Sequence, residues 1–315
     1  MKQPDNETPL VVAFTPNYFI PAATCLLSVF ENTGPDEYFH IICLLSEELP
    51  ERLKQKIQRL GGGRARFSFV NLHGKLSGIY VDEKFTVAAS YRLLLPDLLP
   101  EYDKVMYIDC DVAVRNNLAE LYHSVALGDN YLAAVFEAPM DFQEERHRKI
   151  GCDPLAYINS GFLIMNLALL RHDNMVEKFI EASKAGYIEF PDQDVLNQVC
   201  KNRIMGLPPY HNCIRTFYLP QYKHFFLRRY TQHDWEAILK HGTVHYTGAK
   251  PWNHFTVEFQ VWWQYYDRLP EEIKAEGKLN KKMYYLYKFY KTGFGKFLIN
   301  GMQSLYRKLK YRKEK

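Results

Sequence analysis

The chain lacks any cysteine arrangement that would hold a metal or a redox pair. Its six cysteines, Cys25, Cys43, Cys110, Cys152, Cys200 and Cys213, include no Cys-x-x-Cys and no metal-ligand spacing. In a chain of 315 residues they read as reduced core thiols of a cytosolic protein. No transmembrane helix is evident. The longest uncharged run, Thr8 to Phe30, is broken by Pro16, Asn17 and Pro21 and preceded by Asp5 and Glu7. It reads as strand, turn and helix, not as a membrane span or signal peptide. There is no internal repeat, and no low-complexity linker before residue 280.

What is present suits a globular protein. Apolar residues make up 47% of the chain and charged residues 24%, enough for a sizeable core in one large domain or two small ones. Charge is unevenly spread. Residues 281–315 hold eleven Lys and Arg against one acid, Glu314, in a chain of net charge +4, so the first 280 residues are net acidic. The same segment is rich in aromatics from Tyr284 to Tyr306. Aromatics mixed with lysines suit an interfacial segment on anionic lipid. A basic end that binds nothing in particular is the alternative, and nucleic acid is the least favoured partner.

Strands are predicted over residues 10–15, 38–45, 66–70, 105–108 and 131–136. Helices are predicted over 21–31, 47–60 and 88–99, the last with a bend at Pro96. After Gly151 come a strand over 157–166, a helix over 167–184, a short helix over 192–200 and a strand over 243–246. This alternation predicts an α/β fold with a mostly parallel central sheet flanked by helices.

The chemistry-bearing feature is the run Val105-Met106-Tyr107-Ile108 ending in Asp109-Cys110-Asp111. Side chains two apart on a strand point the same way, so Asp109 and Asp111 converge at the strand's exit. Ligands of parallel sheets sit at such exits. Two convergent carboxylates hold a hard cation, Mg(II) or Mn(II), which bridges phosphate oxygens. With 15 Asp in the chain, the spacing is expected about once by chance, so a solvated acidic turn is the competing reading. Asp192-Gln193-Asp194 is a second instance, at a helix start where an N-cap is the plain alternative.

Three further segments add to the pair. Thr15-Pro16-Asn17-Tyr18 follows a strand end, where backbone amides hold a nucleotide base. Asn159-Ser160-Gly161 sits where a glycine lets backbone approach a ligand, or marks a bulge. In His245-Tyr246-Thr247-Gly248-Ala249-Lys250, a histidine offers a metal nitrogen, a glycine close approach and a lysine a cation for phosphate.

Taken in order, these segments resemble glycosyltransferase family 8, the retaining sugar transferases that include bacterial lipopolysaccharide galactosyl- and glucosyltransferases. The resemblance covers roughly residues 10–255. It implies a GT-A type nucleotide-binding fold over residues 1–280, followed by a basic aromatic helical tail over 281–315. It implies Mn(II), or Mg(II), held by Asp109, Asp111 and His245. Donor contacts fall on Thr15, Asn17, Tyr18, Arg92, Asn159, Gly248 and Lys250. Asp192, grouped with the catalytic residues, matches a contact to the sugar hydroxyls, as Asn159 does, and Gln193 and Asp194 match the residues nearest the reacting carbon. An acidic residue is common in the family where Thr15 stands.

The implied reaction is transfer of galactose or glucose from UDP-galactose or UDP-glucose to a glycan or lipid-linked acceptor, in lipopolysaccharide or other surface-glycan synthesis. The implied place is cytoplasmic, peripheral to the inner membrane face through the tail, with no nucleic-acid partner. Two rivals remain at this point. One is a catalytically silent nucleotide-sugar-binding protein on the same fold. The other is a haloacid-dehalogenase-type phosphatase, whose first aspartate is a nucleophile; that motif lies near the N-terminus and carries Thr or Val where this chain has Ala113.

Overall fold

The computed structural model describes residues 6–74, 87–185 and 188–310. The strands are β1 (Glu7–Phe14), β2 (Tyr38–Leu45), β3 (Ala65–Asn71), β4 (Lys104–Asp109), β5 (Val112–Ala113), β6 (Leu132–Phe136), β7 (Ile158–Asn166), β8 (Ile204–Gly206) and β9 (Val244–His245). The helices are α1 (Phe19–Glu31), α2 (Glu51–Arg59), α3 (Val87–Ser90), α4 (Leu95–Leu98), α5 (Leu118–Ser124), α6 (Asp141–Lys149), α7 (Leu167–His172), α8 (Met175–Ser183), α9 (Pro191–Val199), α10 (Lys223–Phe226), α11 (Gln232–His241), α12 (Phe259–Arg268), α13 (Glu271–Lys274), α14 (Lys281–Tyr290) and α15 (Gly293–Lys310).

Seven strands form one sheet in the order β3-β2-β1-β4-β7-β6-β8. All neighbours are parallel except β7, which runs antiparallel to both β4 and β6. The strands are apolar on both faces because both are covered. Leu10, Val12 and Phe14 of β1 and Met106 and Ile108 of β4 pack on the side of α1, α2 and α12. Val11, Val105 and Tyr107 pack on the side of α7, α8 and α9. Asp109 follows the second set, at the carboxyl end of the central strand. All six cysteines are free and buried, as the sequence predicts.

Two predicted helices are divided. Over 88–99 the backbone runs as α3, a 3-10 turn at Tyr91–Leu94 and then α4. Pro96 donates no backbone hydrogen bond, so the ladder cannot run through it. The turn sets the buried Arg92 against the end of β4. Over 167–184 the chain breaks between α7 and α8 at Asn174, whose φ of 51° is left-handed and interrupts the ladder. The predicted helix over 47–60 starts only at Glu51, after Pro50.

Packing continues past residue 280. Met283 and Tyr287 of α14 are buried in the same core as α12, and the Tyr287 ring lies 6.2 Å from that of Trp263. Asp267 accepts hydrogen bonds from Lys288 at 2.9 Å and Lys291 at 3.0 Å. The predicted tail is helical through Lys310, and its last residues, 311–315, lie outside the described residues. Among the described residues, no helix is long and apolar enough to cross a membrane.

Candidate active site

A small second sheet assembles the site. Strands β5 and β9 pair antiparallel with Val112 opposite His245, and Tyr246 N–H donates to the Asp111 carbonyl at 3.0 Å. This carries His245 from far along the chain to the turn after β4. One ligand atom each from Asp109, Asp111 and His245 lie within 4.8 Å of one another.

The tautomer of His245 follows from its neighbours. Gly161 N–H donates to Asn159 Oδ1 at 3.1 Å, which fixes that amide. Asn212 Nδ2 donates to the same Oδ1 at 3.0 Å, turning Asn212 Oδ1 to His245 Nδ1 at 2.9 Å. Nδ1 therefore carries the proton, and Nε2 presents a lone pair. Nε2 stands 3.3 Å from Asp111 Oδ1 and 3.8 Å from Asp109 Oδ2. Asp111 Oδ1 is buried with no hydrogen-bond partner among the described residues. Three acceptor atoms facing one another are costly unless a cation lies between them. The donor set, two carboxylates and one imidazole, suits a divalent ion such as Mn(II) or Mg(II).

Both carboxylates are held from behind. Asp109 Oδ1 accepts from Arg92 Nη2 at 2.7 Å and from the Tyr107 hydroxyl at 2.9 Å. The buried Arg92 guanidinium lies 4.4 Å from the centre of the Tyr107 ring, and its Nε reaches Asp192 Oδ2 at 3.2 Å. Burial opposes ionisation of Asp111, but Lys250 and His245 together more than offset it and hold the carboxyl well below the usual range. Lys250 Nζ contacts Asp111 Oδ2 and donates to the Tyr246 carbonyl at 2.8 Å. Gly161 completes the floor: a Cβ there would sit 2.3 Å from His245 Cε1 and 2.6 Å from Asp109 Oδ2.

Two cavities meet at this cluster. The smaller, about 340 Å³, is lined by Thr15 and Tyr18. The larger, about 590 Å³, reaches Asn159, Asp192 and Gln193 and ends at Phe142 and Gln143 of α6. Arg92, Asp109, Asp111, Gly248 and Lys250 line both. Gly248 has φ +82° and open space around its Cα, as a backbone approached by a ligand requires. Asn17 is exposed on a 3-10 turn and lines neither cavity.

The Asp192-Gln193-Asp194 segment opens α9 and divides into three roles. Asp192 faces the cavity and accepts from Ser160 Oγ at 2.7 Å; burial raises its carboxyl pKa against the pull of Arg92. Gln193 lines the cavity with both ends of its amide occupied. Its Oε1 accepts from Asn159 Nδ2 at 3.0 Å and Ser160 N at 3.2 Å, and its Nε2 donates to Tyr157 Oη at 3.1 Å and Glu137 Oε1 at 3.3 Å. Asp194 is fully buried and lines neither cavity. It takes the Tyr157 hydroxyl on one oxygen, and Arg146 with the Glu189 and Phe190 amides on the other.

A sequence profile of glycosyl transferase family 8 matches residues 9–256. The chain belongs to glycosyl transferase family 8. It is 28% identical over 254 residues to the lipopolysaccharide 1,2-glucosyltransferase of Escherichia coli, covering 75% of this chain and 70% of that protein. It is 24% identical over 203 residues to a putative glycosyltransferase of Haemophilus influenzae, covering 63% of this chain and 61% of that one. The crystal structure of the galactosyltransferase LgtC with donor and acceptor sugar analogs superposes with a TM-score of 0.70 at 26% identity, covering 85% of this chain and 100% of that one. The bifunctional glycosyltransferase WbbM superposes with a TM-score of 0.73 at 23% identity, covering 88% of this chain and 53% of that one. The chain thus spans about three fifths of the Haemophilus protein and about half of WbbM. The fold is GT-A, and the family whose profile matches is one of glycosyl transferases. That membership sets the phosphatase alternative aside.

Several residues of the site escaped the sequence. Glu137 follows β6 as Asp109 ends β4, an acid at a strand exit, and that signal was legible. Burial pushes its carboxyl up to about 7, against the hydrogen bonds of Asn159 and Gln193. Arg146, Tyr157 and Asn212 carry no local pattern that marks them.

Proposed function

We propose that this family 8 enzyme transfers galactose or glucose from a UDP-sugar to a glycan or lipid-linked acceptor, with retention at the anomeric carbon, in lipopolysaccharide or other surface-glycan synthesis at the cytoplasmic membrane face. The observation that carries this reading is the convergence of Asp109, Asp111 and His245, with Lys250 beside them, where the two cavities join. The smaller cavity suits uridine and the larger suits the donor sugar followed by an acceptor. A divalent cation, when bound by the three side chains, supplies Lewis-acid neutralisation of the leaving diphosphate.

The chain's own groups do the rest. The Lys250 ammonium places a second positive charge where the diphosphate departs. Asp192, which lines the larger cavity, offers its carboxyl group to sugar hydroxyls, and Arg92 holds Asp109 and Asp192 in register. Asp194 is buried and lines neither cavity, and the neutral Gln193 amide is a poor nucleophile. These facts favour same-face attack over double displacement. The acceptor oxygen bonds to the anomeric carbon as the bond to UDP breaks, and the hydroxyl proton passes to the leaving phosphate oxygen.

The test is a screen of UDP-sugars with Mn(II) and no acceptor, reading UDP release. Release from UDP-galactose or UDP-glucose, lost with EDTA and in Asp111→Asn, is expected. Full activity in EDTA contradicts the metal assignment. Binding of UDP-sugars with no turnover, across a broad acceptor panel, favours the silent binding protein. A trapped glycosyl ester on Asp194 overturns same-face attack.

A further inference from the structure

A further cavity lies where α5, the edge strand β8 and the end of α11 meet. It measures about 690 Å³ and shares no lining residue with the two cavities around Asp109 and Asp111. Three rings cluster in its lining. Tyr210 and His211 sit on a 3-10 turn at Pro209–His211 with ring centres 4.4 Å apart, and the His241 ring lies 5.1 Å from that of Tyr210. Asn116 Nδ2 donates to the Tyr210 carbonyl at 3.1 Å, the His241 carbonyl at 3.1 Å and Thr243 Oγ1 at 2.9 Å. One amide therefore ties both ring-bearing segments together, and the cluster is set before any ligand arrives.

The fold does not use the polar atoms of these rings. His211 is buried, and its Nδ1 has no hydrogen-bond partner among the described residues. Among the same residues, no hydrogen bond engages the His241 ring or the Tyr210 hydroxyl. Burial holds His211 down to about 4 and also lowers His241, so both rings are neutral at pH 7. A neutral imidazole carries one donor and one acceptor nitrogen. The lining holds one charged group, the exposed Glu120, and no Lys or Arg. Leu121, Val125 and Leu207 give it an apolar floor.

These features select among ligands. A phosphate or an acidic sugar would meet a carboxylate and no cation. A hydrocarbon would leave the imidazoles and the phenol without partners. A neutral hexose satisfies both demands: its hydroxyls pair with the ring atoms and with Glu120, and its C–H face packs on the rings and the floor.

We propose that this cavity is a second carbohydrate site, which takes one neutral hexose unit of a glycan against the rings of Tyr210, His211 and His241. Binding here uses no donor, metal or reacting group, so it fails or stands apart from the proposed sugar transfer.

Saturation-transfer NMR of the full chain with methyl galactoside and methyl glucoside tests it, in EDTA and again with Mn(II) and UDP. Binding of at least one hexoside under both conditions is expected, with glucose 6-phosphate bound more weakly. His241→Ala should weaken binding roughly fivefold or more. Ala126→Trp, which sets an indole on the exposed rim of the cavity, should abolish it. Melting temperature and UDP release should be unchanged in both variants. Absence of binding by either hexoside, or its loss when Mn(II) and UDP are added, overturns the proposal. So does unchanged binding in both variants, or tighter binding of glucose 6-phosphate.

Discussion

Glu137→Gln should make the protein more stable at alkaline pH and leave it unchanged in acid. The Glu137 carboxyl rests at about 7, against an ordinary value of 4.5, because burial opposes its charge more than Asn159, Gln193 and Arg146 favour it. Below about 4.5 the group is protonated in both folded and unfolded chains. Between there and about 7 the folded chain keeps a proton that the unfolded chain has released. Folding stability therefore falls as pH rises through this window. The full gap corresponds to roughly 3 kcal/mol, and water in the open cavity reduces it, leaving ~1–3 kcal/mol. Glutamine is neutral throughout and its Oε1 still accepts from Asn159 and Gln193. The variant should match wild type near pH 4 and exceed it near pH 8 by about 2–6 °C in melting temperature for a chain of this size. The assay is thermal and urea unfolding of both proteins in EDTA. His40, His147 and His211, each held down to about 4 by burial, titrate alike in both proteins and cancel in the difference. A variant no more stable than wild type near pH 8, or a difference that does not change with pH, refutes the reasoning.

Gly161→Ala places a methyl within van der Waals overlap of His245 and Asp109, so overpacking should cost ~1–3 kcal/mol and Mn(II) affinity should drop, read by the electron paramagnetic resonance of free manganese; undiminished affinity would sink this account of the floor. Asn212→Ala frees His245 Nδ1 and should weaken Mn(II) binding roughly 10- to 100-fold, with no change in affinity counting against the assigned tautomer. Arg146→Ala leaves the buried Asp194 without its cation and should cost about 3 kcal/mol in urea unfolding; a loss under about 0.5 kcal/mol, the ordinary range for a surface change, would show that Tyr157 and the two amides suffice.

The sequence by itself determined the alternation of apolar strands and helices, the acids at the exit of β4, and the chain order of the motifs that mark family 8. These are local properties: strand and helix periods are written in adjacent residues, and a strand's last side chain lies at its end wherever the strand goes. Tertiary packing decided the rest. His245 reaches Asp109 and Asp111 only because β9 pairs with β5, and its tautomer is fixed by Asn212, an element away. Asp192 and Asp194 are identical in type and two residues apart, yet one faces the cavity and the other is sealed by Arg146 and Tyr157. The spacing of Phe294, Phe297, Leu298 and Met302 is that of a helix facing a core, and only the packing of Ile299 turns it to solvent. Spacing fixes which side chains share a face, while the partner that face meets depends on every other element around it.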